Sequence, residues 1–486
     1  MRPAPLLVAA ITTALAGCSL APHYERPAMP AAPESFKEGD WKVAAPSDAQ
    51  PRGPWWTMFR DADLNVLELQ VTDANQNLRA AYARLEQARA QTRIAQSALF
   101  PSLDADASAT RERVSYNSPN YTPGKPATGN LFTLGGSLSY EIDLFGRVRN
   151  TVANARYSEQ ASAGDLAGLD LSTHAELATD YFTLRGLDVE QQLLDQTVAD
   201  YARALQLTQN LYKGGASPIS DLQQAEAQLE TARTQAEDTR LRRAQTEHAI
   251  AVLVGKEAST FSIAPRQASK LADLPRVDPG LPSQLLERRP DVASAERRVA
   301  AANATIGVAR AAYFPVFSIL GTGGYQSTQT SSWFRAPSQY WSIGPQAMLN
   351  LFDAGLRRAQ SAQAHAAYDE QVANYRGTVL TAYQDVEDNL AALRQLQRES
   401  VSQAAAVKAT QGALDQANLR YKGGIVTYLE VVATENAALS ARLNAADIEI
   451  RRATATVQLV RALGGDWHEP LTAAAAPQPA PATPPG

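Results

Sequence analysis

The chain has 486 residues, with 45 Lys and Arg against 50 Asp and Glu, a balance that excludes the basic face or stripe a nucleic-acid binder needs. Apolar residues make up 45%, but only 11 are Phe, and much of the rest is Ala, which lets helices press together while filling little core volume. Long packed helices suit this composition better than a thick globular core, although length alone would allow two to four ordinary domains.

At the N-terminus, Arg2 precedes a mostly apolar run from Leu6 to Leu15, which ends in Leu15-Ala16-Gly17-Cys18. A basic start, a short apolar core and small residues before a cut site describe a secretory signal. The run falls short of the ~20 apolar residues that span a bilayer. Cys18 is the only cysteine, so no intrachain disulfide can form. The residues before it resemble the lipobox of bacterial lipoproteins. That resemblance implies that Cys18 becomes the mature N-terminus, carrying S-diacylglycerol and an N-acyl chain, and that Ser19 in place of Asp favours the outer membrane. No later segment offers 18 consecutive apolar residues, so any crossing of a membrane must be made by a closed β-barrel.

Along the rest of the chain the elements come twice, about 210 residues apart. Helices over roughly 63–98 and 285–312 are each ended by a Phe-Pro pair, Phe100-Pro101 and Phe314-Pro315, because proline cannot continue a helix interior. Two strand-like segments follow each helix. Residues 132–144 alternate Phe132, Leu134, Leu138, Tyr140, Ile142 and Leu144 with Thr133, Ser137, Ser139, Glu141 and Asp143, a strict period of two. Residues 102–110, 317–326 and 342–351 alternate in the same way. Long helices over 147–212 and 356–421 come next, then the turns Tyr212-Lys213-Gly214-Gly215 and Tyr421-Lys422-Gly423-Gly424, then returning helices over 218–254 and 427–463. The glycines suit the left-handed conformation that ends helices. The expected segments are 1–17, signal peptide; 18–60, lipid anchor and extended segment; 61–254, first repeat; 255–283, linker; 284–465, second repeat; and 466–486, an Ala/Pro-rich tail.

Alternation alone suits a soluble sheet or a membrane barrel, but strand length favours the barrel. About 12 residues at ~3.3 Å, tilted ~40°, cover roughly 30 Å, enough for an apolar band ~25 Å tall. One chain supplies four strands, and an open edge in lipid leaves backbone groups unsatisfied. The barrel must therefore be shared. Two chains give eight strands, a barrel filled by its own side chains, whereas three give twelve and leave a channel. The helices carry heptad-like steps: Leu194, Val198, Tyr201, Leu205, Thr208, Tyr212 on one and Leu429, Val432, Asn436, Leu439, Leu443 on another. Antiparallel pairs of this kind make staves that, packed in a ring, would enclose a tube continuous with the barrel. A solid coiled-coil rod is the alternative for the helices alone.

Taken together the chain resembles the outer-membrane factors of tripartite efflux pumps, the group containing TolC and OprM, and within it the lipoprotein (NodT-type) branch. The resemblance runs over almost the whole chain. It rests on Leu15–Cys18, Trp55-Trp56 before Phe59-Arg60-Asp61, Glu141-Ile142-Asp143-Leu144-Phe145-Gly146-Arg147, Leu285-Leu286-Glu287-Arg288-Arg289-Pro290-Asp291, the paired Tyr-Lys-Gly-Gly turns and Ala462-Leu463-Gly464-Gly465-Asp466-Trp467. It implies a mainly α fold with a TolC-like transmembrane β-barrel portion, duplicated within one chain and assembled as a homotrimer in the outer membrane, reaching into the periplasm. It implies as partners a periplasmic membrane-fusion adaptor and an inner-membrane transporter of the resistance-nodulation-division type. The adaptor would meet the tips at Tyr212, Lys213, Gly214, Gly215, Tyr421, Lys422, Gly423 and Gly424. A periplasmic gate would be narrowed by an apolar ring of Leu429 and an acidic ring of Glu430. The family often has a second acid three residues further on, where this chain has Ala433.

No catalytic constellation stands in the sequence. Five scattered histidines form no metal-ligand pair at helical spacing, and there is no Gly-rich phosphate loop. The expectation is a channel subunit without enzyme activity, cofactor, metal or nucleic-acid partner. The segment Glu287-Arg288-Arg289-Pro290-Asp291 reads as a helix start with a structural Arg–Asp pair. Two alternatives to efflux of small molecules are a duct for type I protein secretion and a periplasmic coiled-coil lipoprotein without a pore.

Overall fold

The computed structural model describes residues 20–28, 37, 54–119, 122–124, 127–266, 274–275, 277 and 289–465. Cys18, the signal segment 1–17, most of 18–60, part of the 255–283 linker, the first residues of the helix expected from 285 and the tail 466–486 lie outside the described residues.

In chain order the helices are α1 (Ala62–Ala74), α2 (Gln76–Ser97), α3 (Arg147–Lys213), α4 (Ile219–Leu253), α5 (Pro290–Ala311), α6 (Leu356–Lys422) and α7 (Tyr428–Ala462). The strands are β1 (Ser102–Arg113), β2 (Thr128–Ile142), β3 (Val316–Ser327) and β4 (Gln339–Met348). The internal repeat is carried through in element lengths. The long helices α3 and α6 have 67 residues each, α4 and α7 have 35 each, and α2 and α5 have 22 each. None of the described helices is long and apolar enough to cross a membrane.

One expected helix, over 63–98, is in fact two. Asn75 leaves the helical conformation (φ −64°, ψ 123°) and caps both neighbours. Its backbone N–H donates to the Val71 carbonyl, its side-chain oxygen accepts from the N–H groups of Asn77 and Leu78 at 2.9 and 3.1 Å, and its amide donates to the Leu253 carbonyl at 2.8 Å. Asparagine satisfies the free amides at a helix start in this way, so a continuous apolar pattern does not forbid a break there.

The chain divides into two compact units. The first holds residues 1–28, 84–163 and 294–376, including all four strands. They form one antiparallel sheet in the order β1-β2-β3-β4. The register pairs Leu103 with Leu138, Leu138 with Gly321 and Gly321 with Ile343, so the apolar faces of the four strands coincide on one side. Leu103, Trp341 and Ile343 on that side are 77%, 77% and 67% exposed. The opposite side carries rows such as Asp104, Ser137, Thr322 and Ser342. β2 and β4 stop at Ile142 and Met348, short of the expected 144 and 351. Asp143 turns its carboxylate to the N–H groups of Val148 and Arg149, opening α3, and Asp353 accepts from the N–H groups of Gly355 and Arg357 to open α6. At the helix ends of the strands, Phe145 stacks on Phe314 at 4.6 Å, joining the Leu-Phe-Gly motif of one copy to the Phe-Pro motif of the other.

The second unit holds residues 29–83, 164–293 and 377–486. Its core gathers Trp55, Trp56 and Phe59 ahead of α1, Leu64 and Val71 of α1, Tyr181 and Phe182 of α3, Ile250 of α4 and Val457 of α7. Several buried polar groups are paired within it. Asp61 caps α1, accepting from the N–H groups of Asp63 and Leu64, and also accepts from the Tyr181 hydroxyl at 2.8 Å and from Arg266 at 2.8 Å. His174 stacks on Trp56 with ring centres 4.5 Å apart and bonds Glu68 at 2.5 Å. Burial alone would lower the His174 pKa. The carboxylates of Asp170 and Glu68 outweigh it and raise the value to about 9. Arg289, expected as a structural Arg–Asp partner, donates to Asp291 at 2.7 Å, to Asp385 at 3.0 Å and to the Ala462 carbonyl at 3.3 Å.

Candidate functional site: the hairpin tips

The two helical hairpins turn at their Lys-Gly-Gly segments by the same hydrogen-bond pattern. In the first, Gly215 N–H donates to the Tyr212 carbonyl at 3.0 Å and Ala216 N–H to the Leu211 carbonyl at 2.9 Å. In the second, Gly424 N–H donates to Tyr421 and Ile425 N–H to Arg420, both at 2.9 Å. This double closure is the Schellman ending. It puts the residue just past the helix end in the left-handed region, which Gly215 (φ +73°) and Gly424 (φ +71°) occupy without a Cβ clash. Pro218 and Thr427, both extended, then open the returning helices α4 and α7.

Behind the turns the hairpins pack on each other. Ala225 of α4, Ala417 of α6 and Tyr428, Val431 and Val432 of α7 form a buried cluster, with Leu205 of α3 and Tyr421 of α6 against it. The Tyr421 and Tyr428 rings lie 5.5 Å apart. Tyr212, on the first tip, is 42% exposed, and Lys213, Gly214, Gly215, Lys422, Gly423 and Gly424 are all exposed. Each tip thus offers backbone without side-chain cover.

Leu429 and Glu430 stand in the first turn of α7. Leu429 is 64% exposed. Glu430 is not a free charge: Arg420, on the other limb of the same hairpin, donates to its Oε1 at 2.6 Å. Sequence reasoning missed Arg420, which lies ten residues before its partner across a turn.

The seam of α7 also differs from the expected one. The heptad Leu429, Val432, Asn436, Leu439, Leu443 leaves two members outside, because Leu429 and Asn436 are exposed. The inward positions near the tip are Tyr428, Val432, Glu435 and Leu439: Tyr428 is 2% exposed, Val432 3% and Leu439 8%. The four–three spacing is kept, and its phase is one residue earlier at the start. Aromatic Tyr428 fills the seam, where bulky Leu429 would do so on hydropathy alone. Glu435 takes a seam position as a carboxylic acid. One of its oxygens is buried without a hydrogen-bond partner, as is the hydroxyl of Tyr201, a seam residue of α3. Burial pushes the Glu435 carboxyl up, and the nearby Asp200 carboxylate pushes it further, to about 7.

Among the described residues no group of three or more His, Cys, Asp or Glu could hold a metal ion.

Known proteins resemble the chain along nearly its full length. It is 34% identical to outer membrane protein OprJ of Pseudomonas aeruginosa over 474 residues, 94% of this chain and 95% of that protein. It is 30% identical to the cation efflux system protein CusC of Escherichia coli K12, covering 96% of this chain and all of CusC. Its structure matches that of the CmeC outer membrane channel of Campylobacter jejuni with a TM-score of 0.87 at 26% identity, over 93% of this chain and 96% of that one. The model of the family described as outer membrane efflux protein matches residues 70–256 and 281–465, one segment for each copy of the repeat. With its duplicated helical hairpins and open four-stranded sheet, the chain belongs to the outer membrane efflux protein family.

Proposed function

We propose that the chain is the outer-membrane channel subunit of a tripartite efflux pump, a passive exit duct for small molecules. It works as a homotrimer and carries out no catalysis. The observation that carries this reading is the sheet: four strands whose apolar faces coincide, exposed on β1 and β4, and whose outer edges, one on β1 and one on β4, have no strand partner among the described residues. Such a sheet satisfies its edges in lipid only by closing with other chains. Twelve strands from three chains leave an aqueous bore. The bare glycine tips suit a periplasmic adaptor, which in turn joins the duct to an inner-membrane transporter. A cation efflux protein and a toluene efflux pump protein among the relatives support small cargo over polypeptides.

Lipidation of Cys18 completes this reading. The described chain next to it, Ala21 to Ala28, is held on the strand-bearing unit. Asn303 donates to the Pro22 carbonyl at 2.9 Å, the Tyr24 hydroxyl donates to Glu296, and Arg376 donates to the Ala28 carbonyl. A Cβ at Gly307 would come within 2.6 Å of Ala21, so the segment lies tight on α5, four residues before that helix ends and β3 approaches. Lipid at Cys18, three residues from Ala21, would then reach the bilayer that the strands cross.

Leu429 and Glu430 are the gate candidates, with Arg420 offsetting part of the acidic ring. Purified protein should form trimers that conduct ions in planar bilayers. Glu430→Gln should lower cation preference and Arg420→Gln should raise it. A protein that assembles as trimers but never conducts would sink the channel reading in favour of a non-pore lipoprotein. Unchanged selectivity in both variants would sink only the acidic ring.

A further inference from the structure

One row across the polar face of the sheet departs from its neighbours. Register places Asp106 of β1 opposite Gly135 of β2, Gly135 opposite Gly324 of β3, and Gly324 opposite Tyr340 of β4. The next row along the same face reads Asp104, Ser137, Thr322, Ser342, and it has no glycine. Two adjacent glycines thus separate a carboxylate from a phenol.

The two glycines do different things. At Gly324 a Cβ would overlap the Leu134 carbonyl oxygen and stand 2.6 Å from the Gly135 Cα, so this glycine is required by close approach of β3 to β2. At Gly135 a Cβ would overlap the hydroxyl oxygen of Tyr340 and lie 3.2 Å from Asp106 Oδ1. Tyr340 belongs to β4, two strands away. With strands ~4.8 Å apart, its hydroxyl reaches β2 only if the ring lies along the sheet across β3. Tyr340 is accordingly half-buried although no core covers that face. An aromatic ring laid over bare glycine backbone covers surface that neither glycine can cover for itself.

We propose that Gly135 and Gly324 form a seat that holds Tyr340 flat against the pore wall, and that this seat sets the bore of the barrel for solutes entering or leaving. The proposal rests on the channel reading above, which makes the polar face the lumen. Tyr340 is here a positioning element of the wall. A Cβ at Gly135 meets the far ends of two side chains, the Tyr340 hydroxyl and Asp106 Oδ1, and no backbone atom nearer than 3.5 Å, so Gly135→Ala displaces the ring into the lumen while leaving strand pairing intact. In a three-chain barrel the displacement happens three times at one level.

The test measures the bore from the strand end, independently of any gate at the tips. Full-length trimers are inserted in planar bilayers, and a graded series of neutral poly(ethylene glycol)s is added on the side of the β1–β2 and β3–β4 loops. The readout is the smallest polymer that no longer enters the pore. Gly135→Ala should shift that cut-off downward by at least one step of the series. Gly135→Ala with Tyr340→Ala should return it to the wild-type value or above. Tyr340→Ala alone should leave it near wild type, since a flat ring occupies little of the bore. An unchanged cut-off in Gly135→Ala overturns the seat. So does a large upward shift in Tyr340→Ala alone, a result that stands even where Gly135→Ala fails to assemble. Wild-type trimers that conduct nothing overturn the channel reading itself, and the seat with it.

Discussion

Glu435 makes packing at the hairpin tips depend on pH, and Glu435→Gln should abolish that dependence. The carboxyl sits in the α7 seam with one oxygen buried and unpartnered, facing Tyr201 and Asp200 of α3 and near Tyr428 of α7. Folding raises its pKa from 4.5 to about 7, through burial first and Asp200 second. Below pH 4.5 the group is neutral folded or unfolded, and its full contribution to stability is present. As pH rises through about 7 the folded chain must hold a charge that the unfolded chain exposes freely, and that contribution is lost. At ~1.4 kcal/mol per pH unit the ceiling is about 3 kcal/mol. Partial solvent access reduces it to about 1–2 kcal/mol per chain, a factor of roughly 5–30 in the opening equilibrium. Amide hydrogen exchange of 205–225 and 417–439, corrected for the intrinsic pH effect, should show more protection at pH 5 than at pH 8. Glutamine keeps the shape and drops the charge, so the variant should be equally protected at both. Equal pH dependence in variant and wild type would refute the assignment, and greater protection of the wild type at pH 8 would refute its sign.

Arg289→Met removes the cation shared by Asp291 and Asp385 and one donor to the Ala462 carbonyl. Both acids keep some solvent, so thermal unfolding in detergent should register a loss of about 2–3 kcal/mol. His174→Phe retains an aromatic ring against Trp56 but leaves the buried Glu68 without its partner. It should cost about 3–5 kcal/mol, and much of that should return in the double variant with Glu68→Gln, as read by the same melts. Gly424→Val forces a β-branched residue into a φ of +71°. The strain of about 1–2 kcal/mol should show as faster proteolytic nicking at the second tip, with the first tip unchanged. Gly324→Ala, whose Cβ meets backbone, should lower the yield of heat-resistant trimers sharply, whereas Gly135→Ala should not.

Much of the fold is legible in residue order because the determinants are local and periodic. Two-residue alternation locates all four strands, Phe-Pro ends both short helices close to their observed limits, and the Lys-Gly-Gly turns mark both hairpins. What escapes is whatever depends on a partner distant in sequence. Asn75 breaks a helix because it caps two helices at once and reaches the Leu253 carbonyl, which an apolar pattern does not display. The phase of the α7 seam is decided by Tyr428 packing on Tyr421 and Val432. A heptad count started at Leu429 therefore places Asn436 inside and passes over Glu435. Glu430 reads as a lone acid until the turn folds Arg420 back onto it. The family resemblance supplies Leu429 and Glu430 as gate candidates, but only the fold shows that one of them is already paired.

The sheet bears on how identical chains could close it. The strands alternate in direction, and pairing continues from β2 to β3, across the copies of the repeat, as it does within each copy. A joint between copies is therefore of the same kind as a joint inside one. In an antiparallel sheet of four strands the outer members β1 and β4 also run in opposite directions. A second chain can thus set its β1 beside β4 of the first and continue the antiparallel ladder without a reversal. That contact joins two different edges, so it is heterologous, and rotation alone decides whether it closes into a ring or runs on as an open sheet. The coincident apolar faces favour a ring in lipid, since an open sheet always leaves two edges bare there. One chain already supplies the up-down-up-down unit that such a ring repeats, and no further asymmetry is needed to build it.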